Sequence, residues 1–447
     1  MVISLLCVLF TTNTFAYDFE YTTSNGQTLY FNILDKSAKT VAVTFKNSSG
    51  NSYTLSKYDI PARISYNGTA YDVTEIGESA FWGCTSVKSV TMPYQLKKIA
   101  DQAFYNCSSL QTIGWSGYLE SIGSYAFSGC SSLTTANLPS SLTTINPWAF
   151  KDCTNLRNIL IPANVKTIAE CAFYSCYNAT IHYQAPLSAI FWNGLGNSFT
   201  NCNNATFIYE GTEDLSQQRA LQSVASSSIR NLELNPQNET QLGSHAFDPG
   251  YGGIEITIET LTIPVDAKIS SIDAETFSNC KNLATLNIQC GNYKSSGNML
   301  FQDASGGDKK AWNFVCATPY ASTVIIPDNI GGAPVTGIGN HAFFGYKDIT
   351  AVYVPASVTQ LGYWAFDKYQ KLIVVMSDKL DNNSSIVGTP TIMANPNIIE
   401  DIKLRWTADR FNFVPLGSSS NNDEDVNNDG KVNATDAMLI YNYILSH

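Results

Sequence analysis

Four kinds of apolar or small residue recur every 23 residues along the first half of the chain, in a register that never slips. The repeated positions are Phe81, Phe104, Phe127, Phe150 and Phe173; Ile76, Ile99, Ile122, Ile145 and Ile168; Cys84, Cys107, Cys130, Cys153 and Cys176; and Ala80, Ala103, Ala126, Ala149 and Ala172. Self-similarity at such a period indicates a solenoid of stacked coils. Each coil has too little apolar surface to fold alone, so its neighbours must supply the rest.

The same pattern continues more loosely through the second half of the chain. Further copies are Phe199 with Cys202, Leu242 to Phe247, Ile272 to Leu283, Ile338 to Phe343 and Leu361 to Phe366, with Phe301 marking a possible additional one. About ten coils can be recognised in total, which is enough for a continuous core.

One unit, from Leu133 to Cys153, illustrates the structure that the pattern predicts. Leu133, Ala136 and Leu138 have the spacing of a short strand with alternating inward positions, and the proline that follows cannot continue a ladder. Asn146 followed by Pro147 is typical of a helix N-cap and first helical position. We therefore expect a strand on one side of each coil and a short helix on the other.

These units resemble the leucine-rich repeats of the bacterial surface antigen BspA family, which is also abundant in some parasitic protists. The signature is carried by Leu156, Ile159, Ile161 and Pro162 in one unit and by Ile122, Gly123, Ala126, Phe127 and Cys130 in another. The resemblance covers residues 71–376. It implies an α/β repeat fold, a curved leucine-rich-repeat solenoid with a parallel β-sheet on one face.

The two ends of the chain depart from the repeat. Val2 to Phe10 form a short apolar run, and the small residues Thr14 and Ala16 follow at the positions expected before a cleavage site. No Lys or Arg precedes this run, and a buried N-terminal strand is the alternative interpretation. The run is too short to span a bilayer, and no long apolar stretch follows it. We expect a secreted or cell-surface protein with no transmembrane segment in its mature chain.

Strand-like runs at Thr28 to Leu34 and Thr40 to Phe45 predict an antiparallel β cap, and Glu213 to Val224 resembles a helix. The expected organisation is a signal peptide (1–16), an N-terminal β cap (17–70), regular repeats (71–202), an irregular insertion with a helix (203–240), a second repeat block (241–376), a C-terminal cap (377–417), a linker (418–424) and a dockerin-like half-repeat (425–447).

Composition narrows the classes of partner. Asp and Glu outnumber Lys and Arg by 37 to 26, which gives a net charge of −11. A chain without a basic excess is not expected to bind nucleic acid, since that affinity depends on neutralising phosphates. Charged residues make up only 14% of the chain, and uncharged polar residues take their place, as is common in extracellular proteins.

The tail contains a motif for a cation. Asp425, Asn427, Asp429 and Asp436 occupy positions 1, 3, 5 and 12 of an EF-hand-like calcium loop, and Lys431 offers its backbone carbonyl at position 7. An acidic linker is the alternative. The loop and the apolar residues after it resemble a dockerin type I half-repeat. This resemblance implies a small calcium loop plus helix that binds Ca²⁺ weakly, with Ala434 and Thr435 at cohesin-recognition positions. Dockerins carry two such segments, so the sequence is either truncated or holds a vestigial module.

Ten cysteines follow the predicted signal peptide, and seven of them occupy one repeat position. Equivalent residues of stacked coils lie about 4.8 Å apart, farther than the 3.5–4.5 Å between the Cβ atoms of a disulfide. We therefore expect a ladder of buried free thiols. Cys171, Cys290 and Cys316 lie outside this position and could pair. The chain has no Cys-x-x-Cys motif, so zinc is not expected.

Nothing in the sequence marks out a catalytic centre, because histidine is scarce and nucleophile and phosphate-loop motifs are absent. The remaining candidate is the solvent-facing side of the predicted sheet: Ser89, Thr91, Thr112, Gly114, Thr135, Asn137, Asn158 and Leu160. Simple solvation of these residues is the alternative. The family resemblance implies non-catalytic adhesion to a host matrix protein, other cells or glycans. The competing hypothesis is an extracellular assembly component that docks to a cohesin-like domain through its calcium-dependent tail.

Overall fold

A computed structural model describes residues 16–46, 52–191, 197–225, 227–248, 255–320, 322–346, 349, 351–355 and 357–366, and the backbone of 373–376, 391–394 and 412–415. The described residues form two compact units, one of those up to 181 with those in 188–202 and the other of 182–187 with those from 203 onward. The predicted signal peptide up to residue 15, the linker and the half-repeat lie outside the described residues.

The first unit begins with the predicted antiparallel β cap, which is confirmed. Its strands are β1 (Phe19–Thr22), β2 (Thr28–Asp35), β3 (Thr40–Thr44), β4 (Lys57–Asp59), β5 (Arg63–Tyr66) and β6 (Thr69–Ile76). β1, β2 and β3 pair antiparallel, whereas β3 pairs parallel with β6 and so starts the stack. The buried ring of Tyr53 stacks on Phe81 with 4.2 Å between ring centroids and covers the first coil.

Each coil of the first unit contributes two short parallel strands. They are β7 (Ser89–Thr91), β8 (Lys98–Ile99), β9 (Thr112–Gly114), β10 (Ser121–Ile122), β11 (Thr135–Asn137), β12 (Thr144–Ile145), β13 (Asn158–Ile161) and β14 (Thr167–Ile168). β8, β10, β12 and β14 extend the β6 sheet without a break, while β7 and β9 join β4 and β11 joins β13. The parallel-sheet solenoid is thereby confirmed, and a second parallel sheet accompanies the predicted one.

The helix expected at Asn146 and Pro147 is wrong: this side of the coil consists of turns. Tyr125 and Trp148 have the left-handed φ angles of +55° and +61°, and equivalent residues of other coils share this conformation. Tyr125 and Gly129 have left-handed φ angles, and the three residues between them do not. In this turn every second peptide N–H points at the next coil, and the N–H groups between bond within their own turn. At one junction the donors are Tyr125, Phe127 and Gly129, whose N–H groups lie 3.1, 2.7 and 2.8 Å from the carbonyls of Pro147, Ala149 and Lys151.

Two ladders of side chains fill the space between these turns and the strands. Successive rings of Phe81, Phe104, Phe127, Phe150, Phe173 and Phe199 stack with centroids 4.9–5.4 Å apart. The buried Cys130 thiol donates to the carbonyl of Phe104 in the preceding coil at 3.2 Å, and Cys107, Cys153, Cys176 and Cys202 repeat this contact. The structure thus shows the predicted thiol ladder, with hydrogen bonds that the sequence did not indicate.

The chain passes from one unit to the other within β15 (Thr180–Tyr183), followed by a 3₁₀ turn at Leu187–Ala189. The second unit then contains β16 (Thr206–Tyr209), α1 (Gln222–Ala225), β17 (Asn231–Leu234), β18 (Thr240–Leu242), β19 (Thr260–Ile263), β20 (Ile269–Ile272), β21 (Thr285–Ile288), β22 (Tyr293–Ser296), β23 (Met299–Asp303), β24 (Trp312–Ala317), β25 (Thr323–Ile325), β26 (Asn329–Ile330), β27 (Ala333–Ile338), β28 (Ala351–Val354), β29 (Gln360–Leu361), β30 (Ile373–Met376), β31 (Thr391–Ala394) and β32 (Asn412–Pro415). β16, β17, β19 and β21 form one parallel run and β25, β28, β30, β31 and β32 another.

Two expectations for the second unit are corrected. The helix predicted from Glu213 to Val224 is reduced to the single turn of α1, and turns precede it. Phe301 lies in β23 of an antiparallel insertion, β22 to β24, rather than in a coil. Phe314 takes the repeat position instead, stacking on Phe343 at 5.0 Å. In the predicted C-terminal cap, β31 pairs parallel with β30, and β32 pairs parallel with β31.

Candidate functional site

The predicted partner-binding residues lie together on the outer side of β7, β9, β11 and β13 in the first unit. Thr91, Thr112, Gly114, Thr135, Asn137 and Asn158 are exposed, whereas Ser89 and Leu160 are half-buried. The residues between them point inward, and Val90, Ala136 and Ile159 have no exposed surface. Their counterpart Ile113 in β9 is only half-buried. The face is therefore uncharged and rich in hydroxyl and amide groups, with one irregular coil.

The sheet that carries this face is divided between β9 and β11. β7 pairs with β9 over Ser89 to Thr91, and β11 pairs with β13 over Thr135 to Asn137. No strand ladder joins β9 to β11, although every residue from 111 to 137 is described. The coils remain joined elsewhere, since Ser121 and Ile122 of β10 pair with β12. The gap is thus confined to the sheet face.

Trp115 follows β9 at the border of this gap. It occupies the repeat position that holds Met92, Leu138 or Ile161 in neighbouring coils. Its indole packs edge-on against Phe127 of the same coil with ring centroids 5.5 Å apart. We attribute the separation of β9 from β11 to the bulk of this ring, which we call the wedge. A tryptophan at one repeat position was visible in the sequence, but its effect depends on the neighbouring coil.

Gly114 holds β9 close to the preceding coil. A Cβ atom at this position would lie only 3.1 Å from Cγ2 of Thr91, tighter than ordinary van der Waals contact. The missing side chain therefore lets β9 approach β7 while Trp115 keeps it away from β11. Ser116, where other coils have proline, is buried and donates to the carbonyl of Tyr94 at 2.5 Å.

An open depression of about 520 Å³ lies beside the gap. It is lined by Gln111, Thr112, Ser132, Thr134, Asn155 and Arg157. Arg157 is the single charged residue of this lining and is exposed; its guanidinium donates to the Thr154 carbonyl at 3.1 Å and to Oδ1 of Asn155 at 3.4 Å. Hydroxyl, amide and guanidinium groups can exchange hydrogen bonds with a polar ligand. Of these six residues the sequence analysis named only Thr112.

An aromatic row on the turn side of the same unit was also missed. Tyr105, Tyr125, Trp148 and Tyr174 are half-buried, with centroids 6.4, 6.1 and 5.4 Å apart in that order. Nζ of Lys151 lies 5.2 Å from the Trp148 ring centroid and 5.9 Å from that of Tyr174, within cation–π range. The rings pack mainly on one another and cover the turn backbone, so this row supports the stack.

The buried thiols are expected to be poor nucleophiles. Burial raises the pKa of the Cys84 thiol to about 11 and that of the Cys202 thiol to about 12. Cys171, Cys290 and Cys316 are buried and unbridged in the structure, and burial raises their pKa values as well. Because a thiol attacks as its thiolate, these side chains are inert near neutral pH.

The predicted calcium ligands Asp425, Asn427, Asp429, Lys431 and Asp436, and the predicted recognition residues Ala434 and Thr435, lie outside the described residues. Within the part of the chain that is described, no three His, Cys, Asp or Glu side chains come together as a metal site. Over the same part, no helix has the length and apolar character needed to cross a membrane.

Comparison with known families agrees with this architecture. The family model described as BspA type leucine-rich repeat region matches in six copies, over residues 64–180, 195–306 and 317–386. The chain belongs to the BspA-type leucine-rich-repeat family. A second model, described as dockerin type I domain, matches residues 423–447. No enzyme family is indicated for this BspA-type chain.

Several solved structures are similar to this BspA-type protein. A leucine-rich cell surface protein from Faecalibacterium prausnitzii is 21% identical, covering 90% of this chain and 96% of its own, with a TM-score of 0.35. A leucine-rich repeat protein from Bacteroides ovatus is 20% identical and covers 90% and 100%, with a TM-score of 0.36. The leucine-rich repeat protein of T. pallidum is 25% identical and covers 41% and 83%, with a TM-score of 0.35. No curated protein matches the chain.

Proposed function

We propose that this protein is a secreted or cell-surface, non-catalytic adhesion protein whose sheet face in the first unit binds an extracellular macromolecule, either a host matrix protein, a protein of another cell or a glycan. The observation that carries the proposal is the depression of about 520 Å³ beside an exposed face of hydroxyl and amide side chains. Membership of the BspA-type family supports a repeat protein that binds rather than catalyses. The apolar run at Val2 to Phe10 supports export.

The chemistry of the face favours many modest contacts over one deep pocket. The strands present threonines and asparagines on a regular spacing, without carboxylates among the predicted contact residues. Such a surface gains affinity by repeating weak hydrogen bonds along an extended partner. Arg157 adds one exposed positive charge at the edge of the depression. An extended polymer fits this arrangement better than a small molecule, because the depression is open to solvent.

An array of matrix proteins and glycans, probed with the full chain, tests the proposal. Thr135→Arg places a long charged side chain on the sheet face, whereas Thr167→Arg does the same on the exposed strand β14 of the other sheet. We expect binding to fall about tenfold or more for Thr135→Arg and to remain unchanged for Thr167→Arg. Equal binding by the wild type and both variants would exclude the sheet face as the binding surface.

A second proposed function, docking to a cohesin-like domain, is favoured by the dockerin type I match over residues 423–447. We infer that Asp425, Asn427, Asp429 and Asp436, with the Lys431 carbonyl, bind Ca²⁺ and so order the segment that carries Ala434 and Thr435. Calorimetry with Ca²⁺ should show binding by the full chain that is lost in Asp429→Ala and retained in Asp423→Ala, which lies before the loop. Cohesin binding that persists after calcium chelation would argue against this mode.

A further inference from the structure

The gap between β9 and β11 leaves two strand edges without partners. In a parallel sheet, a residue directs its N–H and C=O to the same neighbour, and the next residue directs its own to the opposite side. The Gly114 carbonyl accepts from Met92 N–H at 2.9 Å, so Gly114 faces the preceding coil. By alternation, the N–H and C=O of Ile113 face the gap.

The opposite edge of the gap follows from the same argument. The Thr134 carbonyl accepts from Arg157 N–H at 2.9 Å, and Leu138 N–H donates to the Leu160 carbonyl at 3.2 Å. These two contacts place Ala136, between them, in the ladder with β13. Thr135 and Asn137 therefore direct their N–H and C=O groups into the gap, opposite Ile113. In the intact junctions of this unit, the equivalent groups are used by the next strand.

We propose that the gap is a binding site for an extended polypeptide segment of the partner, which pairs its backbone with the free edges of β9 and β11. Unpaired strand edges offer donors and acceptors at the spacing of another strand, and recognition by strand addition uses this complementarity. The proposal rests on the proposed function, because it names the partner's chemistry and the part of the face that binds it.

The surroundings of the gap specify the peptide further. The adjoining depression is lined by polar side chains and by Arg157, with no carboxylate among them. A peptide with an acidic side chain next to its paired segment therefore complements this site. A glycan is less well matched, because the six lining residues include no aromatic ring on which a sugar could stack.

A peptide library displayed on phage, with random linear inserts, tests the proposal against the full chain. Peptides selected on the wild type are synthesised in an unmodified form and with alternate backbone nitrogens methylated, which removes donors but keeps the side chains. We expect methylation to weaken binding about tenfold or more, since several backbone hydrogen bonds are lost. Arg157→Gln should weaken it about two- to five-fold, mainly at low salt.

Variants of the wedge provide the decisive comparison. Trp115→Leu restores the ordinary residue at the repeat position, so β9 and β11 can pair and the site closes. Met92→Leu makes the matching change in the preceding coil, where the ladder is already intact. We expect peptide affinity to fall about tenfold or more in Trp115→Leu and to stay unchanged in Met92→Leu. Thermal melts test whether each variant folds. Asn137→Pro removes one backbone donor that faces the gap without closing the site, and Asn137→Ala is its control because it keeps that donor.

The outcomes separate this inference from the proposed function. Selection of no peptide, equal binding of methylated peptides, or equal binding by Trp115→Leu would overturn the inference. So would Trp115-dependent binding of hyaluronan or heparin oligosaccharides in place of peptides. If Thr135→Arg abolishes binding on the array while Trp115→Leu leaves it unchanged, the face still binds a partner but not in the gap. If neither change matters, both proposals fail.

Discussion

Two neighbouring junctions of the first unit differ in one respect. Between β11 and β13 the coils are joined on the sheet face, and between β9 and β11 they are not. On the turn side the two junctions are alike, since Phe127, Phe150 and Phe173 stack at 5.1 Å across both. The second sheet is also continuous through β10, β12 and β14. The two junctions therefore differ only in whether their strands pair on the sheet face.

The difference shows that the solenoid is held mainly from inside and from the turn side. Phenylalanine rings, thiols and inter-coil backbone bonds fix the stacking, so one strand pair can separate without breaking the array. A solenoid can therefore open a binding gap at low cost by placing one oversized residue, here Trp115, at a strand position. Repeat proteins of this kind interact mostly between nearest neighbours, which keeps such a change local.

The largest expected effect is on the stability of the phenylalanine ladder, which runs through both junctions. Phe127→Ala removes a fully buried ring that packs between Phe104, Phe150 and Trp115. We expect the free energy of unfolding of the first unit to fall by about 3–5 kcal/mol, because a large cavity opens between this coil and its two neighbours. Denaturant unfolding followed by tryptophan fluorescence measures it. Phe191→Ala, at a half-buried ring of the same unit outside the stacking position, is the control and should cost far less. Equal costs would contradict an interior held by the phenylalanine ladder.

The sequence predicted this interior well because each repeat position imposes the same packing in every coil. Phe127, Cys130 and Ile122 could be assigned to the core from their period alone. The prediction of a helix at Pro147 was wrong, because stacking stabilises a turn whose N–H groups bond to the neighbouring coil. Helix-capping residues within one repeat carry no information about that neighbour. The gap at Trp115 was missed for a related reason. The tryptophan can be seen in the sequence of one coil, but the loss of strand pairing occurs between two coils.

The next effect concerns the wedge itself. In Trp115→Leu, the backbone N–H groups of Ile113 and Asn137 should become paired across the junction. We expect their hydrogen exchange to slow about tenfold or more, because open strand edges exchange freely and ladders do not. Amide exchange followed by mass spectrometry measures this, with the Ala136 amide, already paired with β13, as the internal reference. Unchanged exchange at Ile113 would mean that Trp115 is not what separates the strands.

A smaller effect is expected at the thiol ladder. Cys130→Ala removes one thiol donor and leaves a small void, at a cost of about 1 kcal/mol. The Phe104 carbonyl keeps its other donor, the Cys107 N–H at 3.1 Å, which limits the loss. Burial raises the folded pKa of the slot thiols, and that of Cys84 reaches about 11 against 9.0 in its unperturbed state. The contribution of Cys84 is therefore complete below pH 9 and is lost as the pH rises toward 11, and the more deeply buried slot thiols lose theirs over a wider range above pH 9.

Alkylation of the thiols by iodoacetamide provides the matching measurement. The slot cysteines should remain unmodified in the native protein at pH 8 and react once denaturant is added, without any reductant. The denaturant midpoint should fall between pH 9 and pH 11, and less steeply in Cys130→Ala than in the wild type. Rapid native alkylation of Cys130, or a need for reductant, would contradict the ladder of buried free thiols.

The smallest effect concerns the backbone of the turn side, where Gln102 is exposed and has a φ angle of +56°. A left-handed residue with a side chain costs roughly 1–2 kcal/mol, which glycine avoids, while glycine makes the unfolded chain more flexible by about 0.5–1 kcal/mol. We therefore expect Gln102→Gly to raise the free energy of unfolding by a few tenths of a kcal/mol up to about 1 kcal/mol. Gln111→Gly is the matched control, since Gln111 is also exposed but has no left-handed φ angle, and it should be destabilising by about 0.5–1 kcal/mol. Denaturant midpoints of the two variants give the comparison directly. A loss in Gln102→Gly as large as that in Gln111→Gly would show that the left-handed backbone at Gln102 is not strained.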